Sequence, residues 1–367
     1  MPRDKADLLR EYYLGRDARL GATVLVSACI PLAWVYGTAA RWSRRLRRAR
    51  ARRLPVPVLS VGNVTCGGTG KTPTVEMLAR DLRARGRTPA IVSRGYGAGA
   101  GGPGSYRPGV DGEPLHGNDE FLLLARSIPE VAHYQGRDRY AQGLAAIADG
   151  AEILILDDGF QHTRLARSFD FVLVDATFPF GGGRTLPAGL LREPLDTLGE
   201  ADLLGITRCD QVGEVTLSTL QSYLRNRFPG IPQVTLSTTS VAWHGAGGAV
   251  APVDALRGCR VLAFCGIGNP DGFRRQLHRA GVDVVELVGF RDHVRYTERD
   301  AERIRNRAAE LGVDRVVTTQ KDAVKVPEDW IPNLHSLRIE QRVKSGVEAY
   351  VAMLDAIETA VSSPGRS

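Results

Sequence analysis

Residues 65–72 read TCGGTGKT, a combination of small residues, one lysine and one threonine that suits the binding of a phosphate group. An apolar run over residues 56–61 precedes them, and helix-compatible sequence begins at Pro73. Glycines permit a tight turn and leave room for a phosphate near the backbone, while the N–H groups at a helix start attract an anion. A lysine adds positive charge, and a threonine hydroxyl can bind Mg²⁺. The residues predicted to bind a nucleotide are Thr65, Cys66, Gly67, Gly68, Thr69, Gly70, Lys71 and Thr72.

The match to the usual phosphate-loop pattern has one departure, because Thr65 stands where the pattern has its first glycine. A glycine-rich turn with an unrelated lysine is the alternative interpretation. The order of strand, turn, lysine, threonine and helix favours the phosphate loop.

Acidic residues supply a second candidate chemistry. Asp157 and Asp158 follow the apolar stretch 153–156, the position from which an acidic residue holds Mg²⁺ or its waters in a phosphate-loop protein. The alternative is a turn at the strand end, which an Asp-Gly pair favours. Asp119 stands where a loop passes into a helix, and by residue type alone it is best interpreted as the helix N-cap.

Helices and strands must position these side chains, and the chain is long and apolar enough to form them. The chain has 367 residues, of which 43% are hydrophobic and 24% charged, enough for two ordinary domains. Five cysteines form no CxxC pair and no zinc spacing, which indicates reduced thiols.

The net charge of +7 is local. Without eight arginines between residues 41 and 53 the charge would be −1, so the excess points to anionic lipid headgroups rather than to nucleic acid. These residues are Arg41, Arg44, Arg45, Arg47, Arg48, Arg50, Arg52 and Arg53.

Residues 20–40 carry no charge and approach the length of about 20 residues that crosses a bilayer. Pro31 interrupts the segment, while Trp34, Tyr36 and Trp42 suit a membrane interface. A membrane anchor or span, a helix lying in the interface and a buried helix are the three interpretations, with membrane association favoured. The arginines place the following domain on the cytoplasmic side.

Strands alternate with helices through residues 56–230, which predicts a parallel sheet covered on both faces. Residues 98–118 are rich in glycine and proline and predict a loop, and residues 231–255 lose the periodicity and mark a boundary. The predicted class is α/β: a P-loop NTPase-like parallel sheet flanked by helices, a smaller C-terminal α/β domain and an N-terminal hydrophobic helix. The predicted domains are residues 1–53, 54–235 and 255–367.

Nine segments in one order resemble the tetraacyldisaccharide 4′-kinase family, the lipid A kinases. The departures are Asn118, where the family has glycine, and Gln320, where glutamate is common. The segments are VGNVTCGGTGKTP, VSRGYG, the pair Asp119-Glu120, GRDR, LDDGFQH, LPAGLLREP, GIGNP, DHVRYT and TTQKDAVK.

The resemblance implies Mg²⁺-dependent transfer of the ATP γ-phosphoryl group to the 4′-hydroxyl of an acylated glucosamine disaccharide 1-phosphate. It implies a location at the cytoplasmic face of the inner membrane. The local charge and the lack of aromatic-basic motifs argue against a nucleic-acid partner. By the resemblance, Lys71 contacts the β- and γ-phosphates, and Thr72, Asp157 and Asp158 bind the metal. Asp119 is the general base, and His293 assists it. Arg192 and Glu193 form a loop pair, Arg192 at the phosphates and Glu193 at the metal.

A membrane-associated P-loop GTPase switch is the competing function. The sequence Thr207-Arg208-Cys209-Asp210, placed after an apolar strand, loosely resembles a guanine-reading motif, with arginine in place of the usual lysine.

Overall fold

The structure is a computed structural model that describes residues 12–13, 20–95, 104–111, 117–292 and 294–362. The helices within these residues are α1 Leu20–Ala49, α2 Lys71–Ala84, α3 Asp119–Ser127, α4 Arg139–Ala148, α5 Glu214–Arg227, α6 Pro270–Arg279, α7 Glu298–Leu311, α8 Gln320–Ala323 and α9 Val347–Ser362. The strands are β1 Val58–Asn63, β2 Pro89–Ser93, β3 Gly104–Tyr106, β4 Ala132–Gln135, β5 Ile153–Asp157, β6 Phe169–Asp175, β7 Leu203–Thr207, β8 Gln233–His244, β9 Val250–Pro252, β10 Arg260–Cys265, β11 Asp283–Gly289, β12 Arg315–Thr319 and β13 Leu334–Ser345.

The chain divides into two compact units. The first takes the chain up to Ser237 and again from Arg342, and the second is Thr238–Gln341. The predicted C-terminal domain over residues 255–367 is therefore wrong at its end, because α9 belongs to the first unit. The reason is apolar burial: Tyr350, Leu354 and Ile357 of α9 pack in one core cluster with Leu59 and Val61 of β1.

The sheet of the first unit has the strand order β13-β8-β7-β6-β1-β5-β2-β4-β3. Strand β1 is buried along its whole length between β5 and β6, and both of these neighbours run parallel to it. The predicted parallel sheet is correct over β7, β6, β1, β5, β2 and β4. Strand β3 lies within the predicted loop 98–118 and pairs with β4 in the antiparallel direction.

Helices cover both faces of this sheet. On one face, Leu59 of β1 packs in a cluster with Leu78 of α2 and Leu124 of α3. On the other, the neighbouring Val58 packs in a cluster with Ala146 of α4. Successive residues of a strand point to opposite faces, so an unbroken apolar run suits a strand buried on both sides.

Helix α1 also belongs to the first unit. The Thr185 hydroxyl donates to the Ala33 carbonyl at 2.6 Å, and Tyr36 Oη donates to the Arg192 carbonyl at 3.1 Å. Among the helices of the described part of the chain, none combines the length and the apolar character that crossing a membrane requires.

The second unit contains the parallel strands β11, β10, β12 and the part of β13 before Arg342, in that order. In this unit β9 pairs antiparallel with the part of β8 that follows Ser237. Helix α7 begins with a capping box, in which Thr297 and Asp300 satisfy each other's backbone N–H groups. Asp322 is fully buried and accepts from the Gly266 N–H at 3.0 Å and the Thr319 hydroxyl at 2.7 Å. This carboxylate joins two of the sequence segments, GIGNP and TTQKDAVK, inside one unit.

Candidate active site

The carboxyl ends of β1 and β5 bring the phosphate-loop candidates and the paired aspartates to the same edge of the sheet. The strands are adjacent and parallel, with Val61 opposite Asp157. The glycine-rich loop leaves β1 at this edge, and Asp158 follows β5 there. Adjacent parallel strands, rather than closeness along the chain, join two motifs that lie some ninety residues apart in sequence.

The glycine-rich loop has the open geometry that its residue types predict. Gly67 and Gly70 have φ of 101° and 84°, a region that favours glycine. No described atom lies within 4 Å of the position that a Cβ on Gly67 would take, so the loop has free space on that side. Gly70 caps α2 without a side-chain acceptor from the described residues, which leaves the first turn of the helix open to an anion.

Not every residue of the predicted nucleotide loop faces this space. Thr65 and Thr69 are buried, and Asn63 Nδ2 donates to the Thr65 carbonyl at 2.8 Å. Cys66 is half-buried, and its N–H donates to the Leu190 carbonyl at 2.7 Å. Thr65 stands in place of the pattern's first glycine at a buried position that supports the loop. Its φ is not in the left-handed region, so this position does not require glycine.

Lys71 extends from the start of α2 to the paired aspartates. Its Nζ lies 3.3 Å from Asp158 Oδ1 and 3.2 Å from Asn63 Oδ1, and only 11% of the side chain is exposed. The predicted phosphate lysine and one predicted metal-side acid are therefore in contact. Thr72 follows Lys71 in the same first helical turn and is half-buried.

Asp158 lies between two cations. Arg192 Nη1 donates to both of its carboxylate oxygens at 2.9 Å, and Lys71 approaches Oδ1. Burial by itself would raise the pKa of this carboxyl, but the charges of Lys71 and Arg192 outweigh it and hold the pKa well below the usual value. Asp158 also has a φ of 52°, an uncommon conformation for a residue other than glycine.

Asp157 differs from its neighbour. Its side chain is buried, with 3% of the residue exposed, and no donor among the described residues reaches Oδ1. Burial raises the pKa of the Asp157 carboxyl above its usual value, and the negative charge of Glu120 adds to the rise. A buried carboxylate oxygen that no donor from the described residues reaches, next in sequence to a second carboxylate, fits the hard oxygen donors that Mg²⁺ prefers.

No group of three His, Cys, Asp or Glu side chains able to hold a metal occurs in the part of the chain that the structure describes. Mg²⁺ does not require one, since it is usually held by one or two carboxylates together with substrate phosphates.

Asp119 is the first residue of α3 and not its cap. The N-cap is Asn118, whose Oδ1 accepts from the Phe121 N–H at 2.9 Å. The N-cap interpretation of Asp119 is therefore wrong, because an amide side chain one residue earlier already satisfies the helix. Asp119 is half-buried, and the next residue, Glu120, is the one whose charge acts on Asp157.

Glu193 has a partner that its sequence position did not indicate. Arg44 of α1 donates to Glu193 Oε2 at 2.9 Å, and both side chains are buried. Burial raises the pKa of the Glu193 carboxyl, and the charge of Arg44 opposes that rise. The role of Glu193 as a metal ligand stays a prediction, and its pairing with arginine disfavours it.

The arginine cluster of residues 41–53 is only partly available to lipid headgroups. Arg44 is buried, donates to Glu193, to Glu200 and to the Phe160 carbonyl, and lies over the Phe160 ring. Its assignment to lipid is therefore wrong, because α1 packs this side of the cluster against acids of its own unit. Arg41 and Arg48 are exposed ion-pair partners of acids in the same unit.

Two functional candidates were missed in the sequence. Arg139, in the GRDR segment, is fully buried and donates to the Asp158 carbonyl at 3.0 Å. Arg208, at the end of β7, donates to the Gly68 carbonyl at 2.7 Å and forms an ion pair with Asp175. The GRDR motif was the signal for the first, whereas the contact of Arg208 has no local signature.

His293 lies outside the described residues, so its predicted role stays a prediction. Its neighbour Asp292 is in the second unit, where Lys321 Nζ lies 3.3 Å from its carboxylate.

Comparisons with known proteins agree with the residue pattern. Residues 25–357 match the family model described as tetraacyldisaccharide-1-P 4′-kinase. A tetraacyldisaccharide 4′-kinase of Geobacter sulfurreducens is 41% identical over 329 residues, covering 85% of this chain and 86% of the relative. One from Anaeromyxobacter sp. strain Fw109-5 is 38% identical over 363 residues, covering 95% and 96%.

The fold has a solved counterpart in LpxK from Aquifex aeolicus, whose crystal structure is described as an "apo" form in complex with ATP. It superposes with a TM-score of 0.72 at 28% identity, covering 92% of this chain and 99% of that one. The resemblance predicted from nine segments is confirmed: the chain belongs to the tetraacyldisaccharide-1-P 4′-kinase family.

Proposed function

We propose that the site around Lys71 transfers the γ-phosphoryl group of ATP to the 4′-hydroxyl of a tetraacyldisaccharide 1-phosphate. Membership of the family makes the protein a lipid A 4′-kinase that uses ATP with Mg²⁺. The competing interpretation as a GTPase switch is therefore wrong. The segment that suggested it, Thr207-Arg208-Cys209-Asp210, departs from a guanine-reading motif at Arg208, whose side chain bonds to Gly68 and Asp175.

One observation supports the proposal that phosphoryl transfer takes place around Lys71. Lys71, Asp158 and Arg192 form a linked cluster beside a glycine-rich loop with open space on one side. Two cations held by one carboxylate at an anion-binding helix start form a positive site for the terminal phosphates. This cluster supports the proposal that the loop is a P-loop and that the first unit has a P-loop NTPase-like fold.

The side chains divide the work of transfer. Lys71 and Arg192 stabilise the negative charge on the transferred phosphoryl oxygens, and a sugar hydroxyl needs a carboxylate to orient it and accept its proton. Asp119 takes that role in the proposal, because Asn118 already caps α3. Thr72, Asp157 and Asp158 are the residues that would hold Mg²⁺, which neutralises phosphate charge when it is bound.

A direct assay tests this function. Purified protein is incubated with γ-labelled ATP, Mg²⁺ and the acylated disaccharide 1-phosphate, and labelled lipid is measured. Lys71→Met should lower turnover about 100-fold or more, since it removes a charge-stabilising donor. Lys344→Met, an exposed lysine on β13, is the matched control and should behave as wild type. Near-normal turnover in Lys71→Met would contradict the proposal.

Membrane association is a further part of the proposed function. Helix α1 exposes Trp34, of which 74% is accessible, together with Trp42, Leu32 and Val35. Exposed aromatic and aliphatic side chains next to arginines suit the headgroup region of a bilayer. The substrate class has four acyl chains, and each buried methylene holds it in the bilayer by about 0.8 kcal/mol. We therefore place the protein at the cytoplasmic face of the inner membrane.

Vesicle sedimentation tests the membrane proposal. The double variant Trp34→Ser, Trp42→Ser should lose most of its co-sedimentation with vesicles of zwitterionic and anionic phospholipid, yet bind ATP as wild type does. Tyr223→Ser removes an exposed aromatic ring from α5 and serves as the control. Unchanged sedimentation of the double variant would remove α1 from this role.

A further inference from the structure

The end of strand β7 reaches the glycine-rich loop through two consecutive side chains. The Thr207 hydroxyl donates to the Thr69 carbonyl at 2.9 Å, and Arg208 Nη2 donates to the Gly68 carbonyl at 2.7 Å. Thr207 is buried, with 1% exposed, and 16% of the Arg208 side chain is accessible. Two neighbouring peptide units of the loop are therefore held from one side.

These contacts fix the direction of two backbone N–H groups. In a trans peptide the carbonyl of one residue and the N–H of the next point in opposite directions from one plane. With the Gly68 carbonyl turned towards Arg208, the Thr69 N–H points away from it. With the Thr69 carbonyl turned towards Thr207, the Gly70 N–H likewise points away from β7. Both donors are then directed away from the strand end that holds the loop.

Arg208 is itself held in place. It has a φ of 55°, in the left-handed region that an arginine seldom occupies. Its other terminal nitrogen, Nη1, is paired with Asp175, whose second carboxylate oxygen accepts from the Thr177 N–H at 2.9 Å and from its hydroxyl at 2.7 Å. An uncommon backbone conformation persists where surrounding contacts determine it. The guanidinium is thus fixed on one side by Asp175 and presented to Gly68 on the other.

We propose that Thr207 and Arg208 are positioning residues that orient the Gly68 and Thr69 peptide planes, so that the Thr69 and Gly70 N–H groups face the ATP phosphates. This inference rests on the proposed phosphate-binding role of the loop. It assigns to the Thr207-Arg208 pair a function that needs no contact with the nucleotide.

Removal of the Thr207 hydroxyl is the first test. Thr207→Val keeps the shape of the side chain but removes the hydroxyl. Because the Gly70 N–H is then no longer held in its direction, KM for ATP should rise about tenfold, which corresponds to about one hydrogen bond. The KM for the lipid should stay unchanged, whereas the melting temperature without nucleotide should fall, because the buried Thr69 carbonyl loses a donor. Thr207→Ser keeps the hydroxyl and should restore KM for ATP. Thr219→Val removes a hydroxyl that donates to a carbonyl within α5 and is the matched control.

Two substitutions of Arg208 distinguish a positioning role from a role that depends only on its charge. Lysine keeps the charge but cannot reach Asp175 and Gly68 at once with a planar fork. Arg208→Lys should therefore raise KM for ATP as much as Arg208→Met, while Arg225→Met on exposed α5 should leave it unchanged. Recovery of wild-type KM in Arg208→Lys would show that Arg208 acts through charge and would overturn its positioning role.

Lys71→Met distinguishes failure of this inference from failure of the proposed function. If Lys71→Met loses ATP binding while Thr207→Val keeps wild-type KM, the loop binds phosphate but the inference is wrong. If Lys71→Met binds ATP as wild type does, the proposed phosphate site is wrong and the inference falls with it. The expected result is loss of ATP binding in Lys71→Met, together with an about tenfold higher KM for ATP in Thr207→Val that Thr207→Ser restores.

Discussion

Asp158 is the residue on which the charges of the candidate site converge. Arg192 donates to both of its oxygens and Lys71 Nζ forms an ion pair with Oδ1 at 3.3 Å, while its carbonyl accepts from the buried Arg139. Lys71 and Arg192 are thus both neutralised by one carboxylate in a partly buried site. Asp157, one residue earlier, has a buried oxygen that no donor from the described residues reaches. The two adjacent aspartates therefore have pKa values shifted in opposite directions, because their surroundings differ.

Asp119 provides the sharpest test at the scale of one residue. Asp119→Asn should keep ATP affinity, since the change lies outside the glycine-rich loop, yet lower turnover about 100-fold or more by removing the proton acceptor. Turnover and ATP binding are measured separately. Asn118→Asp keeps a good cap and is the matched control. An Asp119→Asn enzyme with near-normal turnover would assign the base to another group.

His133 predicts how stability depends on pH. It is buried against Phe121, and Ser93 Oγ lies 3.0 Å from its Nε2. Burial lowers the pKa of His133 to about 3 from 6.5. The unfolded chain then binds more protons than the folded one between these values, so stability falls as the pH drops below 6.5.

The size of that effect follows from linkage. Between about pH 7.5 and about pH 5, His133 should remove about 2 kcal/mol of unfolding free energy. Urea titrations at both pH values measure it. The His133→Gln variant cannot titrate, so its loss should be smaller by that amount. An equal loss in both proteins would exclude His133 as the source.

At the scale of elements, α1 is tied to the segment that carries Arg192 and Glu193. Tyr36 donates to the Arg192 carbonyl, and Arg44 pairs with Glu193 and Glu200. The helix that is proposed to meet the membrane therefore also supports the residues next to Asp158. This explains why one arginine of a basic cluster is buried while its neighbours are exposed.

Arg44→Met tests this support. Removing one partner of a buried ion pair leaves an uncompensated charge and should lower the unfolding free energy of the first unit by about 3–5 kcal/mol. Arg45→Met changes an exposed arginine of the same helix and should alter it little. Denaturant unfolding measures both variants. Equal effects of the two substitutions would show that the Arg44 pair does not stabilise the unit.

At the scale of the whole molecule, the chain leaves the first unit after Ser237 and returns to it at Arg342. Helix α9 then completes a core begun by β1. The Tyr350 hydroxyl donates to Asp81 of α2 at 2.6 Å, and Arg85 and Arg87 pair with Glu358. The helix that follows the glycine-rich loop is therefore packed against the last described helix of the chain.

This arrangement predicts that α9 stabilises the ATP-binding unit. Leu354→Ala empties a fully buried position and should cost about 2–5 kcal/mol. Val351→Ala, more exposed on the same helix, should cost much less. Thermal unfolding is measured with and without ATP, and the transition that ATP shifts to higher temperature is assigned to the first unit. If Leu354→Ala left the ATP-stabilised transition unchanged, α9 would not belong to the core of that unit.

The sequence by itself determined the local chemistry. Glycines before Lys71 specify an open turn, apolar runs specify buried strands, and nine motifs in order specify the family, because each of these signals lies within a few residues. The long strands β8 and β13 were missed, since their mixed burial gives neither an apolar run nor a clean alternation.

Only the tertiary structure decided which distant groups meet. It paired Arg44 with Glu193, returned α9 to the first unit and brought Arg208 to Gly68. Most of these contacts join residues more than a hundred positions apart, and packing of the sheet and its helices sets them. Spacing along the chain cannot encode them, because a side chain's partner depends on which strands become neighbours.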